Sequence, residues 1–300
     1  MKRFYTLILA AFMLVPAMAQ QLKVGTGGPK GTYHAQFTEM QQFCGNELAL
    51  VGQPSTGAVE NLENLIGNKV HMGFVQSDLV YRKARTENLG QLKTLIALHP
   101  EQLHFVVRNE VRKVGGTLGF GAKEFTLTSV EQLQGLTLAA GGGAIETAKQ
   151  VKTDSDIGYQ IMEVGGADDA LKALAEKKVD AALLVGGAPL GNLAALDNRY
   201  RLLGVPEPVA TKLKGAYKPA RVSYSKMNAN GVPTVSTDTL LMTRNYTTPA
   251  MVSALTKFRA CVLSKLDEIK ETVGTHPAWQ AVDAANKGTW AYYELTSPKK

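Results

Sequence analysis

The sequence predicts an α/β fold, with an open, mostly parallel sheet shared between two lobes. Three observations carry that expectation. A strand-like run, a glycine-rich or polar turn and an amphipathic helical run follow one another three times between Leu22 and Arg85. That alternation builds parallel sheets that bind ligands beyond the carboxyl ends of their strands. The glycine-to-helix turn recurs in mid-chain at Gly141-Gly-Gly-Ala-Ile-Glu-Thr147, and 300 residues exceed what one hydrophobic core usually serves.

Ahead of the fold, Lys2 and Arg3 precede an apolar run from Phe4 to Val15 that ends in Ala17-Met-Ala19. A charged start, an apolar centre of about a dozen residues and a small-residue cleavage site predict a secretory signal peptide over 1–19. No Cys follows that site to carry a lipid, and no later run approaches the roughly 18 apolar residues of a membrane-spanning helix. The mature chain is expected free in an exported compartment, most simply the periplasm.

Leu22-Lys-Val24 reads as the first strand. It empties into Gly25, Gly27, Gly28 and Gly31, and a helix with Tyr33, Phe37, Met40 and Phe43 on one face follows. Such a turn points backbone N–H groups and the positive end of a helix dipole at one spot, which suits a carboxylate or phosphate. Nucleotide motifs do not fit. A Walker A loop needs Lys after its last Gly, where Thr32 follows Gly31; the spacing Gly25-x-Gly27-x-x-x-Gly31 misses the dinucleotide fingerprint by one residue.

Leu48 to Val51 is a second strand. Ser55 and Thr56 are N-cap residues for a helix with Val59, Leu62, Leu65 and Ile66 on one face. Val70 to Val75 is a buried-type strand that runs into Gln76-Ser77-Asp78 and a third helix. Leu92 to Leu98 and Leu103 to Val107 predict two further strands. The second ends at Arg108, which either clamps a carboxylate in bidentate fashion or pairs with a surface acid. Residues 109–126 are glycine-rich and read as a crossover or loop.

Ser129 and Gln132 stand in capping-box spacing at a short helix ending near Gly135. Leu136 to Ala140 is a strand, and Gly141 opens a helix. Gly165-Gly166 leads to an amphipathic helix through Ala170, Leu171 and Leu174. Val179 to Val185 is a strand that stops at Gly186-Gly-Ala-Pro-Leu190. From Arg201 to Lys226 the pattern is irregular, with Pro206, Pro208 and Pro219. Val232 to Met242 is strand-like, and Pro249 begins a helix through Val252, Leu255, Phe258, Val262 and Leu266. Trp279 and Trp290 read as packing groups.

The 33 Lys and Arg against 26 Asp and Glu give +7, which falls to +5 when Lys2 and Arg3 leave with the leader. Basic residues cluster only briefly, without the basic stripe and interleaved aromatics that nucleic acid requires. Cys44, at the end of the first helix, and Cys261, in a late helix, are either a disulfide tying the C-terminal helix to the first lobe or two buried thiols. The five histidines form no His-x-x-x-His pair, no Cys-x-x-Cys is present, and no Gly-x-Ser-x-Gly elbow occurs. These absences speak against zinc chemistry and acyl transfer and favour a binding protein over an enzyme.

Taken in order, Thr26-Gly-Gly-x-x-Gly-Thr-Tyr33, Ser55-Thr-Gly-x-x-x-Asn61, Phe74-Val-Gln-Ser-Asp78, the Ser129-to-Gly135 turn and Gly187-x-Pro189 resemble the TAXI family. These are the extracytoplasmic solute receptors of tripartite ATP-independent periplasmic (TRAP) transporters. The resemblance covers nearly all of the mature chain. It implies a two-lobed periplasmic binding protein of type II-like architecture, with mostly parallel sheets and a hinge of crossing strands. Residues 20–108 plus 232–300 would form one lobe and 109–231 the other. Such a monomer closes on a small carboxylate, an amino acid such as glutamate or a dicarboxylate, and hands it to TRAP membrane subunits without a cofactor.

Carried over by position, the resemblance implies that Thr26, Gly27, Gly28, Thr32 and Tyr33 line one side. Ser55, Thr56, Gly57 and Asn61 would add a second helix start, and Gln76, Ser77 and Asp78 a third turn. Gly142, Gly143, Thr147, Gly187 and Pro189 would come from the other lobe's turns. The mid-chain turn lacks the hydroxyls of the usual Gly-Ser-Gly-Thr, and its Glu146 would admit a cationic group such as an amine. His34 replaces a second aromatic, and 113–126 read as an insertion. A sensor or partner-binding protein of the same fold is the rival reading.

Overall fold

The computed structural model describes residues 21–29, 31–46, 48–114 and 123–294. The expected signal peptide, residues 115–122 of the expected insertion and the Lys299-Lys300 tail lie outside them. Strands β1 (Leu22–Gly25), β2 (Leu50–Gln53) and β3 (Met72–Gln76) alternate with helices α1 (Thr32–Cys44), α2 (Ala58–Ile66) and α3 (Ser77–Lys83). β1 lies between β2 and β3 and is parallel to both. Buried Leu22, Val24, Met72 and Phe74 face the helices, as a strand covered on both sides requires.

The two runs expected as separate strands are one strand of 17 residues, β4 (Leu92–Arg108). Beyond it come a hairpin of β5 (Arg112–Val114) and β6 (Lys123–Phe125), then β7 (Thr137–Gly141), α4 (Gly143–Ser155), β8 (Gln160–Val164), α5 (Ala167–Ala175) and β9 (Ala181–Gly186). The expected capping box of Ser129 and Gln132 is present, on a single 3-10 turn. β7 pairs in parallel with β8 and β9, repeating the first unit's arrangement. The stretch expected as irregular holds α6 (Gly191–Ala194, just ahead of it), β10 (Tyr200–Leu202), α7 (Glu207–Lys212) and β11 (Lys218–Tyr224). β12 (Ala229–Arg244), α8 (Pro249–Ser264) and α9 (Leu266–Glu271) follow, and a 3-10 turn over Pro277–Ala281 comes after them.

β4 and β12 are antiparallel neighbours that run through both halves of the molecule. The first half of β4 and the second half of β12 extend the β2-β1-β3 sheet through β12's pairing with β3. The second half of β4 pairs with β9 and β10, and the first half of β12 with β11. Where the strands cross between halves, Asp238 is opposite Pro100 and Leu240 opposite Ala97, so the register slips at a bulge. Pro100, which has no N–H to donate, sits at this bulge, where that costs little.

The hydrophobic residues divide accordingly. Leu22, Phe37, Met40, Phe74, Leu255, Phe258 and Trp279 belong to a core of the first lobe; Leu138, Val151, Leu183 and Tyr217 belong to one of the second. β4 gives Leu95, Ile96 and Leu98 to the first and Leu103, Phe105 and Val107 to the second. The last three pack with second-lobe residues although they come before residue 109, because a crossing strand serves both cores.

Cys44 and Cys261 form a disulfide, with Cα atoms 6.0 Å apart and 217 residues between them in sequence. On chain-entropy grounds alone, closing a loop of that length stabilises by about 5 kcal/mol. The bond ties the end of α1 to α8 within the first lobe. Among the described residues no helix is long and apolar enough to cross a membrane.

Candidate functional site

Between the lobes, at the crossing of β4 and β12, runs a seam of buried polar side chains. β3 ends in Gln76, and α3 opens with Ser77 and Asp78. β4 supplies His99 and Glu101, and β12 supplies Thr237, Asp238 and Thr239. All of these are at most 5% exposed. α1 contributes Tyr33, whose ring stacks on Phe74 at 5.2 Å. From the second lobe come Thr147 of α4 and Tyr217, which immediately precedes β11.

Asp78 bolts the lobes together. Its Oδ2 accepts from Thr147 Oγ1 at 2.7 Å and from the Tyr217 hydroxyl at 2.8 Å. Its Oδ1 accepts from Leu79 N at 3.0 Å and Thr237 Oγ1 at 3.3 Å. Burial raises the Asp78 pKa in spite of these donors. The same burial, with the Asp78 charge beside it, lifts Tyr217 well above an ordinary phenol and so keeps it a donor.

Glu101 occupies the floor of the seam. Gln76 Nε2 donates to its Oε2 at 2.6 Å, and the Tyr33 and Thr239 hydroxyls lie close enough to favour its charged form. Burial outweighs these bonds and raises its pKa to about 7. His99 Nε2 lies 3.8 Å from Glu101 Oε1, but burial lowers the His99 pKa to about 3, so this imidazole is neutral.

Two glycines let the lobes touch. Gly142 has φ +57°, a left-handed conformation that favours glycine. A Cβ on Gly143 would come within 2.5 Å of Gln76 Oε1 across the seam. Among the described residues that oxygen has no hydrogen-bond partner.

The residues singled out in the sequence separate into two groups. Tyr33, Gln76, Ser77, Asp78, Gly142, Gly143 and Thr147 meet at the seam, with buried Gly187 beside His99. Thr32 is near the edge, its Oγ1 3.5 Å from His276 Nε2. Thr26, Ser55 and Asn61 instead satisfy one another. Asn61 Nδ2 donates to the carbonyls of Thr26 and Phe74, its Oδ1 accepts from Ser55 Oγ at 2.8 Å, and Thr26 Oγ1 faces the carbonyls of Gly27 and Gln53.

Gly57 N donates to Ser55 Oγ, and exposed Thr56 is held by Glu60 through both its N–H and its hydroxyl. The N-cap of α2 is Gly57, with no side-chain cap, in place of the expected Ser55 or Thr56; both of those side chains are spent on the turn ahead of the helix. Gly27 is buried beneath Tyr33, whereas Gly28 and Pro189 are exposed. Glu146 pairs with Arg82 of the first lobe at 2.9 Å and with Lys149 at 3.0 Å, a rim contact in place of a free acid. Arg108 donates to the carbonyls of Leu174 and Val179 and pairs with Glu110, so it takes the surface role of the two expected.

Glu101, His99, Thr237, Thr239 and Tyr217 have no counterpart in the sequence-level site. The available signal was the polar interval His99-Pro-Glu-Gln102 between two apolar runs, and Ser236-Thr-Asp-Thr239 inside another. Among the described residues no cluster of His, Cys, Asp and Glu is arranged to hold a metal.

A family model described as the NMT1-like family matches residues 24–290. No curated protein shows significant sequence similarity to the chain. Among solved structures, a protein from Bordetella bronchiseptica RB50 matches with a TM-score of 0.53 at 14% identity, over 88% of this chain and 76% of that one. A mutant of ArgBP from T. maritima matches at 0.51 and 13%, over 83% and 91%. Tv2483 bound to L-arginine matches at 0.50 and 12%, over 83% and 86%. At such identities the likeness is one of fold: the two-lobed α/β architecture of type II solute-binding proteins.

Proposed function

The chain belongs to the NMT1-like family, and from that premise we propose that it is an extracytoplasmic solute receptor that closes its two lobes on a small organic molecule. The observation that carries this reading is the seam itself. Buried polar groups of both lobes converge on the bulged crossing of β4 and β12, where a change in two strands can swing one lobe against the other. A site at the meeting of two lobes, lined by a few convergent polar groups, is the usual form of a small-molecule site.

In this reading residues 20–108 and 232–300 move against 109–231, and the leader at 1–19 directs a monomer to the periplasm. The ligand is a small carboxylate, with an amino acid such as glutamate or a dicarboxylate as first candidates. It meets the α1 start at Thr32 and Tyr33, the Gln76-to-Asp78 turn and the Gly142-Gly143 turn that opens α4. The loaded receptor docks on the membrane subunits of a TRAP-type transporter, as the TAXI resemblance implies. It performs no chemistry on its ligand.

A thermal-shift screen of amino acids, dicarboxylates and nucleotides against the mature protein tests this. At least one amino acid or dicarboxylate is expected to raise the melting temperature, with Tyr33→Ala and Thr32→Val weakening the response. A response to nucleotides alone would overturn the uptake reading.

A further inference from the structure

Two carboxyl groups, Asp78 and Glu101, are buried in the seam, and among the described residues neither is paired with a lysine or arginine. The charged side chains around them are committed elsewhere. Lys218 Nζ is 2.8 Å from Asp238 Oδ2, and Arg82 holds Glu146 at the rim. A buried charge without a counter-charge is costly, and folds normally pair it or neutralise it. Asp78 at least has four neutral donors from both lobes.

Glu101 differs because its neighbour is itself incomplete. Gln76 gives its amide N–H to Glu101, and its Oε1 is left without a donor although the residue is 3% exposed. An unsatisfied buried acceptor costs the desolvation of that group until a donor arrives. Two acceptors side by side, one carrying negative charge, call for a group with several N–H donors and positive charge. A primary ammonium has three donors and no acceptor. A second carboxylate at the same place would meet repulsion once Glu101 is ionised, and would leave Gln76 Oε1 still without a donor.

We infer that the ligand carries a protonated amine and that Glu101, with Gln76 Oε1 beside it, is the group that selects it. This rests on the receptor reading and narrows its ligand class: an amino acid fits, a simple dicarboxylate does not. A carboxylate elsewhere on the same molecule remains free to face the starts of α1 and α4. Because Gln76 and Gly143 are in contact across the seam, the amine enters by separation of the lobes and is enclosed when they close.

The test compares matched pairs by calorimetry on the mature, disulfide-intact protein: each L-amino acid against its deaminated acid, L-glutamate against glutarate among them, with putrescine as an amine lacking a carboxylate. The amine-bearing partner is expected to bind tighter by on the order of 100-fold. Glu101→Gln is expected to remove most of that advantage. A pH series adds a readout independent of the variant. The titratable and charged groups facing Glu101 are Tyr33 on α1, Asp78 on α3 and His99 on β4; one contact further out are Tyr217 on Asp78, His276 beside His99, and the pair of Asp238 on β12 with Lys218 on β11. Affinity for the amine is expected to rise from pH 5.5 to 8 as Glu101 ionises, and to flatten in Glu101→Gln.

Equal or tighter binding of the deaminated acids, or unchanged amine affinity in Glu101→Gln, would overturn the inference and leave the receptor reading standing. Binding of neither class would overturn both. If Glu101→Gln did not fold, the wild-type pairs and the pH series would still decide.

Discussion

The glycine turn after β1 and the seam at the strand crossing contain similar numbers of polar side chains and use them in opposite ways. Around the turn every singled-out polar group is spent inside one lobe. Asn61 reaches across to the carbonyls of Thr26 and Phe74, Ser55 holds Asn61, and Glu60 holds Thr56 ahead of α2. At the seam the groups belong to different lobes, carry two uncompensated carboxyls and leave Gln76 Oε1 without a donor. A conspicuous motif can thus be scaffold, and an inconspicuous Glu after a proline can be the chemistry. Substitutions at the turn should cost stability. Substitutions at the seam should cost closure or binding and can even stabilise the empty protein.

The largest effect is expected from Asn61→Ala. It strips the donor from two buried carbonyls, each worth about 1–3 kcal/mol when left unsatisfied, so a loss of about 4 kcal/mol is expected in urea denaturation. A loss below about 1 kcal/mol would show that the turn is not the scaffold described. Next is Glu101→Gln, with the opposite sign. The unfolded carboxyl ionises near its ordinary 4.5, whereas the folded one keeps its proton to about 7. At this site the folded state therefore keeps its proton through that window, and the stability Glu101 contributes is lost as pH rises from about 4.5 to 7, then levels off; the neutral buried His99 gives a slope of opposite sign that wild type and variant share. The variant lacks that slope, so its advantage over wild type should grow by about 3 kcal/mol across the window. A pH dependence that is the same in wild type and variant across that window would contradict the buried carboxyl.

How much of this was legible in the sequence follows the same line. α1, α2 and β3 are legible because their apolar residues repeat on one face between strong turn signals, and the helix starts are marked by glycine. β4 reads as two strands because His99-Pro-Glu-Gln102 interrupts its apolar pattern, and only the crossing geometry shows why a strand should turn polar in its middle. β8 is hidden because it is an edge strand with exposed Gln160, Glu163 and Met162. β11 is hidden because Pro219 sits within it, tolerated at another sheet edge. The Cys44–Cys261 bond needed three-dimensional proximity. So did Tyr217, which follows a proline-rich stretch and meets Asp78 only through the fold.

Thr147→Val and Tyr217→Phe should have a smaller effect on a different quantity. Each removes one donor from Asp78 and alters neither lobe's apolar core, so the cost of about 1.5–3 kcal/mol for a bond to a charged group falls on closure. Small-angle scattering is expected to show a larger radius of gyration for the empty variants, with melting temperatures nearly unchanged. An unchanged radius with a lowered melting temperature would place Asp78 with the scaffold of the turn.

The smallest effect belongs to the rim. Arg82 and Glu146 also join the lobes, at 2.9 Å, but their side chains are 34% and 28% exposed. Solvent screens such a pair, and holding two long side chains in place offsets much of the attraction, so exposed pairs contribute about 0–1 kcal/mol. Arg82→Gln should therefore shift the open–closed balance by less than twofold to fivefold, and 0.5 M salt should erase the difference because charges at the rim are screened within a few ångströms. The same salt should leave the Asp78 contacts in place, since water and ions do not reach them. Were Arg82→Gln to open the molecule as far as Thr147→Val does, closure would be governed by rim charge, and the contrast between a spent turn and a charged seam would lose its second half.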